Sequence, residues 1–261
     1  MSSSLDAPAP PVPAPEDYPW VGPAVRSALL LDEGIVDLDP HGGVEEPSEQ
    51  AEEPLVDIAA IEQALAEEGA APLAERTLVL AVGSNQTPET IARKYRRSGR
   101  DIPVTTPFVR CTVHDLAVGH VAHIAVPGYL PAAPYRAEGE RMELVATWFD
   151  EEQLAVVDET EPNYDRLRLS TKDYPLTLAT GQQPAHFDVY ASVWGVLAHE
   201  RRPIPLRHRQ QEVFDELVGL TSSSLTRGDA AEICTALAAA PEALHELVTA
   251  HGLVAPDGLP H

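Results

Sequence analysis

The chain has 261 residues, of which 44% are hydrophobic, 23% charged and 5% aromatic, enough for one sizeable domain or two small ones. Eighteen basic against 41 acidic residues leave a formal charge of −23, which argues against nucleic acid and anionic membrane surfaces as partners. Two cysteines, Cys111 and Cys234, are too few for a disulfide framework, and the start Met1-Ser2-Ser3-Ser4-Leu5-Asp6 carries no export pattern, so the expectation is a cytoplasmic protein without membrane spans.

Charge is spread unevenly. Residues 1–75 hold seventeen Asp or Glu and one basic residue, Arg26, together with eleven prolines. Residues 1–54 therefore read as an acidic, Pro-rich, largely disordered arm, for which a protein partner is one role. Inside it, Trp20, Val21, Val25, Leu29, Leu30 and Leu31 make an apolar island able to dock on the domain.

Residues 55–73 read as a short helix and linker, because Leu55, Ile58, Ile61 and Leu65 fall on one helical face before Gly69 and Pro72. The apolar run 76–82 has the length and flanks of a central strand. Gly83-Ser84-Asn85 then turns the chain into a helix with Thr87 at its N-cap and Pro88 at its first position. Strands are expected over 104–113, 116–126, 141–149 and 190–197, with a helix capped by Asp150 running through Val157. Beyond Pro205 the pattern is helical, and Cys234 falls in an apolar stripe as a buried thiol.

Two segments carry chemistry. A Gly-Ser-Asn turn between strand and helix can aim successive backbone N–H groups at one point, a nest for a carboxylate or an oxyanion, although the tripeptide is also ordinary turn chemistry. Asp158-Glu159-Thr160-Glu161 ends an apolar helix, and Pro162 forces Glu161 out of helical geometry, so it can turn inward while its neighbours meet solvent. His114, His120 and His123 near Cys111 raise a metal alternative, which strand alternation disfavours. Arg93, Lys94, Arg96, Arg97 and Arg100 follow the Gly-Ser-Asn turn and could attract an anionic substrate, but read chiefly as a solvated helix face, and Arg201, Arg202, Arg207 and Arg209 as a patch that could pair with the acidic arm.

Taken together, Val82-Gly83-Ser84-Asn85, Gly128-Tyr129-Leu130-Pro131-Ala132, Asp158-Glu159-Thr160-Glu161 and Tyr164 resemble the γ-glutamylcyclotransferase superfamily in order and spacing over about residues 76–200. Val82 stands where that family has Tyr. The resemblance implies an α+β fold with a strongly bent mixed sheet or small barrel and flanking helices. It places that domain at 74–220, followed by a helical C-terminal extension at 221–261. It further implies a lyase or transferase type of enzyme, independent of metal and cofactor, that cyclises a γ-glutamyl amine or dipeptide to 5-oxoproline and releases the amine. Glu161 would be the general acid/base, and Val82, Gly83, Ser84, Asn85 and Tyr164 would bind the substrate, with Glu159 the second choice of carboxylate. The alternative is a non-catalytic relative of the same fold that binds or senses a small ligand, which Val82 and the long extensions favour.

Overall fold

The computed structural model describes residues 12–21, 26–39 and 55–261. In chain order, Ala28–Leu31 (β1) and Gly34–Asp37 (β2) form a hairpin, Ile58–Glu67 (α1) follows, and Thr77–Ala81 (β3) leads through the turn Gly83–Gln86 into Pro88–Ser98 (α2). Thr106–His120 (β4) and Ala132–Phe149 (β5) are long paired strands, succeeded by Glu151–Glu159 (α3), Tyr164–Ser170 (β6), Leu176–Leu178 (β7) and His186–Ser192 (β8). Val196–His199 (β9), Arg202–Pro203 (β10), Gln210–Thr221 (α4), Ala230–Ala239 (α5), Pro241–Ala250 (α6) and Val254–Ala255 (β11) complete the chain.

The fold is α+β, built on a strongly curved mixed sheet that does not close. Its path runs β2-β1-β4-β5-β3-β8-β6, with β7 added beside β4. The β3–β8 pair is parallel and the other pairs are antiparallel. A second sheet, β10-β9-β11, adjoins the first through bridges Gly119↔Pro205 and Val121↔Val196.

The alternation of β-strand side chains sends two sets of apolar residues to opposite faces. On one face Val109, Cys111, Leu144, Ala146, Trp148, Phe187 and Val189 pack with Ile61 and Leu65 of α1. On the other, Val79, Phe108, Val145 and Phe149 meet Ile91 and Tyr95 of α2 and Leu154, Val156 and Val157 of α3. A third cluster joins α4, α5 and α6 around Phe214, Leu217, Leu237 and Leu244. Each fully buried Leu or Phe contributes about 1.5–3 kcal/mol, so α2 and α3 are held firmly on the face that carries the site.

Several expectations need correction. The strands expected at 104–113 and 116–126 are one element, β4, with an irregularity between His114 and Leu116 where Asp115 takes φ 61°. The strand expected at 141–149 starts at Ala132, because residues 132–136 pair with 116–120 of β4. The run expected at 190–197 divides into β8 and β9 at Gly195, whose φ is +71°. Within the arm, residues 28–37 are not disordered: Leu29 and Leu30 are buried, and β1 pairs with residues 106–108 of β4. The apolar island thus overrides the acidic composition around it, while residues 1–11, 22–25 and 40–54 of the arm lie outside the described residues. Asp39 of the arm pairs with Arg110 at 2.6 Å, and Arg207 pairs with Glu216 at 2.7 Å instead of with the arm.

The extension at 221–261 docks closely. A Cβ on Gly128, whose φ is +96°, would lie 1.8 Å from the backbone oxygen of Cys234. Only glycine lets the 125–131 loop reach α5 this closely. Cys234 itself is buried, and burial pushes its thiol up to about 12. No helix of the described residues is long and apolar enough to cross a membrane.

Candidate active site

The ends of β3 and α3 meet over α2. β3 ends in the 3₁₀ turn at Gly83–Gln86, and Pro88 starts α2 directly afterwards. Asp150 caps α3 in a reciprocal box with Gln153, which fixes where the helix begins and hence where its last turn falls. Thr160 closes the helix, and Pro162 cannot extend it. The chain instead turns, with the Tyr164 N–H donating to the Glu161 carbonyl at 3.0 Å. Glu161 consequently points inward, its side chain only 15% exposed.

Two donors converge on Glu161 Oε1. Asn85 Nδ2 lies 2.9 Å away and Lys94 Nζ 2.5 Å away. Neither bond uses Oε2. Lys94 is on α2 one turn beyond Thr90, so the turn, α2 and the end of α3 are joined through a single carboxylate oxygen.

Around this group lies a cavity of about 400 Å³, within the size range of small-molecule sites. Val82, Ser84, Asn85, Glu161 and Tyr164 all line it. Gly83 sits behind them, buried, with φ +54°. The Tyr164 hydroxyl donates to the Ala132 carbonyl at 3.0 Å, and burial raises this phenol well above its ordinary range. Glu161 and the five residues expected to bind substrate therefore belong to one small region.

Other assignments come apart. Glu159 lies on the exposed side of α3, ion-paired with Arg100, and does not line the cavity. Asp158 is structural, accepting from Tyr190 Oη at 2.6 Å and pairing with Arg166 at 3.0 Å. Asn163 lines the cavity and accepts from Trp194 Nε1 at 3.0 Å. Among the described residues no three His, Cys, Asp or Glu come together to hold a metal ion. His120 is fully buried, with Nε2 accepting the Arg207 N–H at 2.9 Å.

Three features were missed. The first is α2: residues 93, 94 and 97, read chiefly as a solvated face with attraction of an anionic substrate as the alternative, line the cavity, and the contact of Lys94 with the carboxylate was not foreseen. Their helical spacing from Thr90, which faces the same way, was the available signal. The second is His123, a buried cavity-lining imidazole lowered to about 4 by desolvation and then by His245, with Nδ1 unpartnered among the described residues. The third is the arm. Tyr18 stacks on Tyr129 at 4.2 Å and meets Trp20 edge-on at 5.1 Å, so aromatic rings build the wall beside Val82. Its hydroxyl oxygen accepts the Ala132 N–H at 2.9 Å and the Ser84 N–H also approaches it. The turn expected to face substrate directly thus faces Tyr18 in part.

No family model matches the chain, and no curated protein matches it. Three chains among the solved structures are similar to it, and two of them are described. One, described as a gamma-glutamyl cyclotransferase, is 12% identical, with 72% of this chain and 92% of that one covered at a TM-score of 0.36. The other, an ensemble refinement of an uncharacterized protein from Homo sapiens, is 13% identical with the same coverages and a TM-score of 0.36.

Proposed function

We propose that this cavity cyclises a γ-glutamyl compound, releasing 5-oxoproline and an amine, with Glu161 as general acid/base. The observation that supports the reading most is the inward Glu161 carboxylate, held by Asn85 and Lys94 through one oxygen and bordered by a small cavity. Paired with an ammonium, Glu161 starts as a carboxylate able to take a proton from the substrate α-ammonium. The freed amine attacks the γ-carbonyl carbon, forming the ring C–N bond and a tetrahedral oxyanion. Collapse breaks the bond to the leaving nitrogen, which receives the proton back from Glu161; the ring nitrogen then gives up its second proton by way of the same carboxylate, and the amine departs as an ammonium. The steps consume no water and need no cofactor.

Because both reacting groups belong to one molecule, holding a ring-closing conformer supplies much of the rate. Arg93, Lys94 and Arg97 give the cavity a cationic side suited to a substrate that carries carboxylates. The expected result, on incubating the protein with a panel of γ-glutamyl amines and dipeptides, is 5-oxoproline detected by mass spectrometry. No cyclic product from any member would contradict the reading.

The second reading, a binding module without turnover, is favoured by the prior engagement of both chemical groups. Lys94 already occupies Glu161, and Tyr18 already occupies the donors beside Gly83. On that reading ligand binds, no product forms, and Glu161→Gln changes affinity alone.

A further inference from the structure

Tyr18 comes from the acidic arm, and its placement has a chemical consequence. The hydroxyl oxygen accepts the Ala132 N–H at 2.9 Å, and the Ser84 N–H approaches the same atom. Both contacts use lone pairs of the oxygen, so the phenol proton must be directed elsewhere. Among the described residues the hydroxyl makes no hydrogen bond as a donor, and Tyr18 borders the cavity shared with Glu161. The oxygen is fitted into the concave side of the Gly83 turn: a Cβ on Gly83 would lie 2.3 Å from it and 2.8 Å from the Ala132 Cβ.

The ring is fixed as well as the oxygen. Tyr18 is 3% exposed, stacked on Tyr129 with an interplanar angle of 15° and braced by Trp20. The 3₁₀ turn Pro15–Asp17 just before it packs on α4 and α5. With the segment seated in this way about 400 Å³ of cavity remains, so residues 12–21 wall the site and do not fill it.

We propose that Tyr18 is a catalytic residue whose phenol donates its hydrogen bond to the substrate carbonyl oxygen as that oxygen becomes the oxyanion. This rests on the cyclisation reading above. The backbone donors of Ala132 and Ser84 act through the phenol: by withdrawing charge from its oxygen they strengthen its O–H as a donor, and they need not reorganise during the reaction. Burial pushes the phenol above its ordinary range, so it stays protonated and available as a donor through neutral pH. The N-terminal segment is then part of the active site.

The test uses the full chain and follows 5-oxoproline release by wild type, Tyr18→Phe, and protein carrying 3,5-difluorotyrosine at position 18. Phe keeps the aromatic stack and removes the donor. The expected result is a fall in kcat of about a hundredfold or more with KM changed by less than about threefold, in line with loss of one oxyanion donor. The fluorinated residue keeps both backbone contacts and makes the phenol more acidic. With it, kcat changes with the donor strength of the phenol while KM is held, which a purely structural role would not produce. Turnover by Tyr18→Phe equal to or above wild type, or kcat unchanged in the fluorinated protein, would overturn the inference and leave the cyclisation reading standing. Wild type that forms no cyclic product overturns that reading first and the inference with it.

Discussion

Lys94 Nζ stands 2.5 Å from Glu161 Oε1, and both side chains are 15% exposed. Helix α2 thereby presents a cation to the turn that follows α3, and the pair forms one side of the cavity. Half-way between a surface bridge and a fully buried one, it should depend on both partners. Lys94→Met is expected to destabilise the fold by about 1–3 kcal/mol and to lower turnover, with Lys94→Arg recovering part of both. Chemical denaturation and product release measure the two effects. A Lys94→Met protein as stable and active as wild type would show that the pair is incidental.

Asn85 donates to the oxygen that Lys94 holds. Asn85→Asp replaces the donor with a second carboxylate against the first, whereas Asn85→Ala only removes a bond. Like charges at this separation are costly, so the Asp variant should lose more activity than the Ala variant and should recover as pH is lowered. Equal losses at every pH would separate Asn85 from Glu161.

Arg76 is a buried hub. Its Nε donates to the Ala71 carbonyl at 2.7 Å and its Nη1 to Gln153 Oε1 at 2.9 Å, with Thr105 and Trp148 carbonyls at 3.2 and 3.3 Å. Since Gln153 completes the cap of α3, Arg76 positions the helix that ends at the site. Arg76→Met removes a donor from each of these acceptors, leaving Gln153 Oε1 with the Asp150 N–H and the Thr105 carbonyl with Gln153 Nε2, strips Asp150 of its cation, and is expected to cost about 3 kcal/mol or more. A change of under about 0.5 kcal/mol in urea denaturation would contradict this role.

His120 and His123 supply a pH dependence. Burial lowers both imidazoles to about 4, against about 6.5 in an unfolded chain. Between those values the unfolded chain binds more protons than the folded one. Stability is therefore fully present above about pH 6.5, falls as pH drops through the window, and levels off below about 4. At about 1.4 kcal/mol per pH unit, each histidine accounts for on the order of 3 kcal/mol. Thermal midpoints from pH 7.5 to 4 should show the decline, and His123→Gln should flatten it. A profile with the same slope in wild type and variant would contradict the assignment.

Local chemistry made much of this legible. The apolar run 76–82, the Thr87-Pro88 helix start and the Asp150 cap each stand where short-range rules put them. So does the inward turn of Glu161, because Pro162 acts on its own neighbours. What escaped depends on distant packing. Lys94 looked solvated because the Glu161 carboxylate that faces it, just beyond α3, is 67 positions away. Tyr18 was lost in an acidic, Pro-rich context, and only the sheet and Tyr129 give it a place; its link to Ala132 spans 114 positions. Composition averages over a segment, whereas one aromatic residue can be held by contacts that the segment's neighbours do not share.

The central claim is that Glu161 carries protons in a ring-closing reaction. The most direct measurement compares wild type with Glu161→Gln on the same γ-glutamyl panel, following 5-oxoproline by mass spectrometry and ligand binding by calorimetry. The account predicts cyclic product from wild type, a loss of at least about a hundredfold in the variant, and retained binding. Product formed equally fast by both proteins, or binding by both with no product from either, would contradict it.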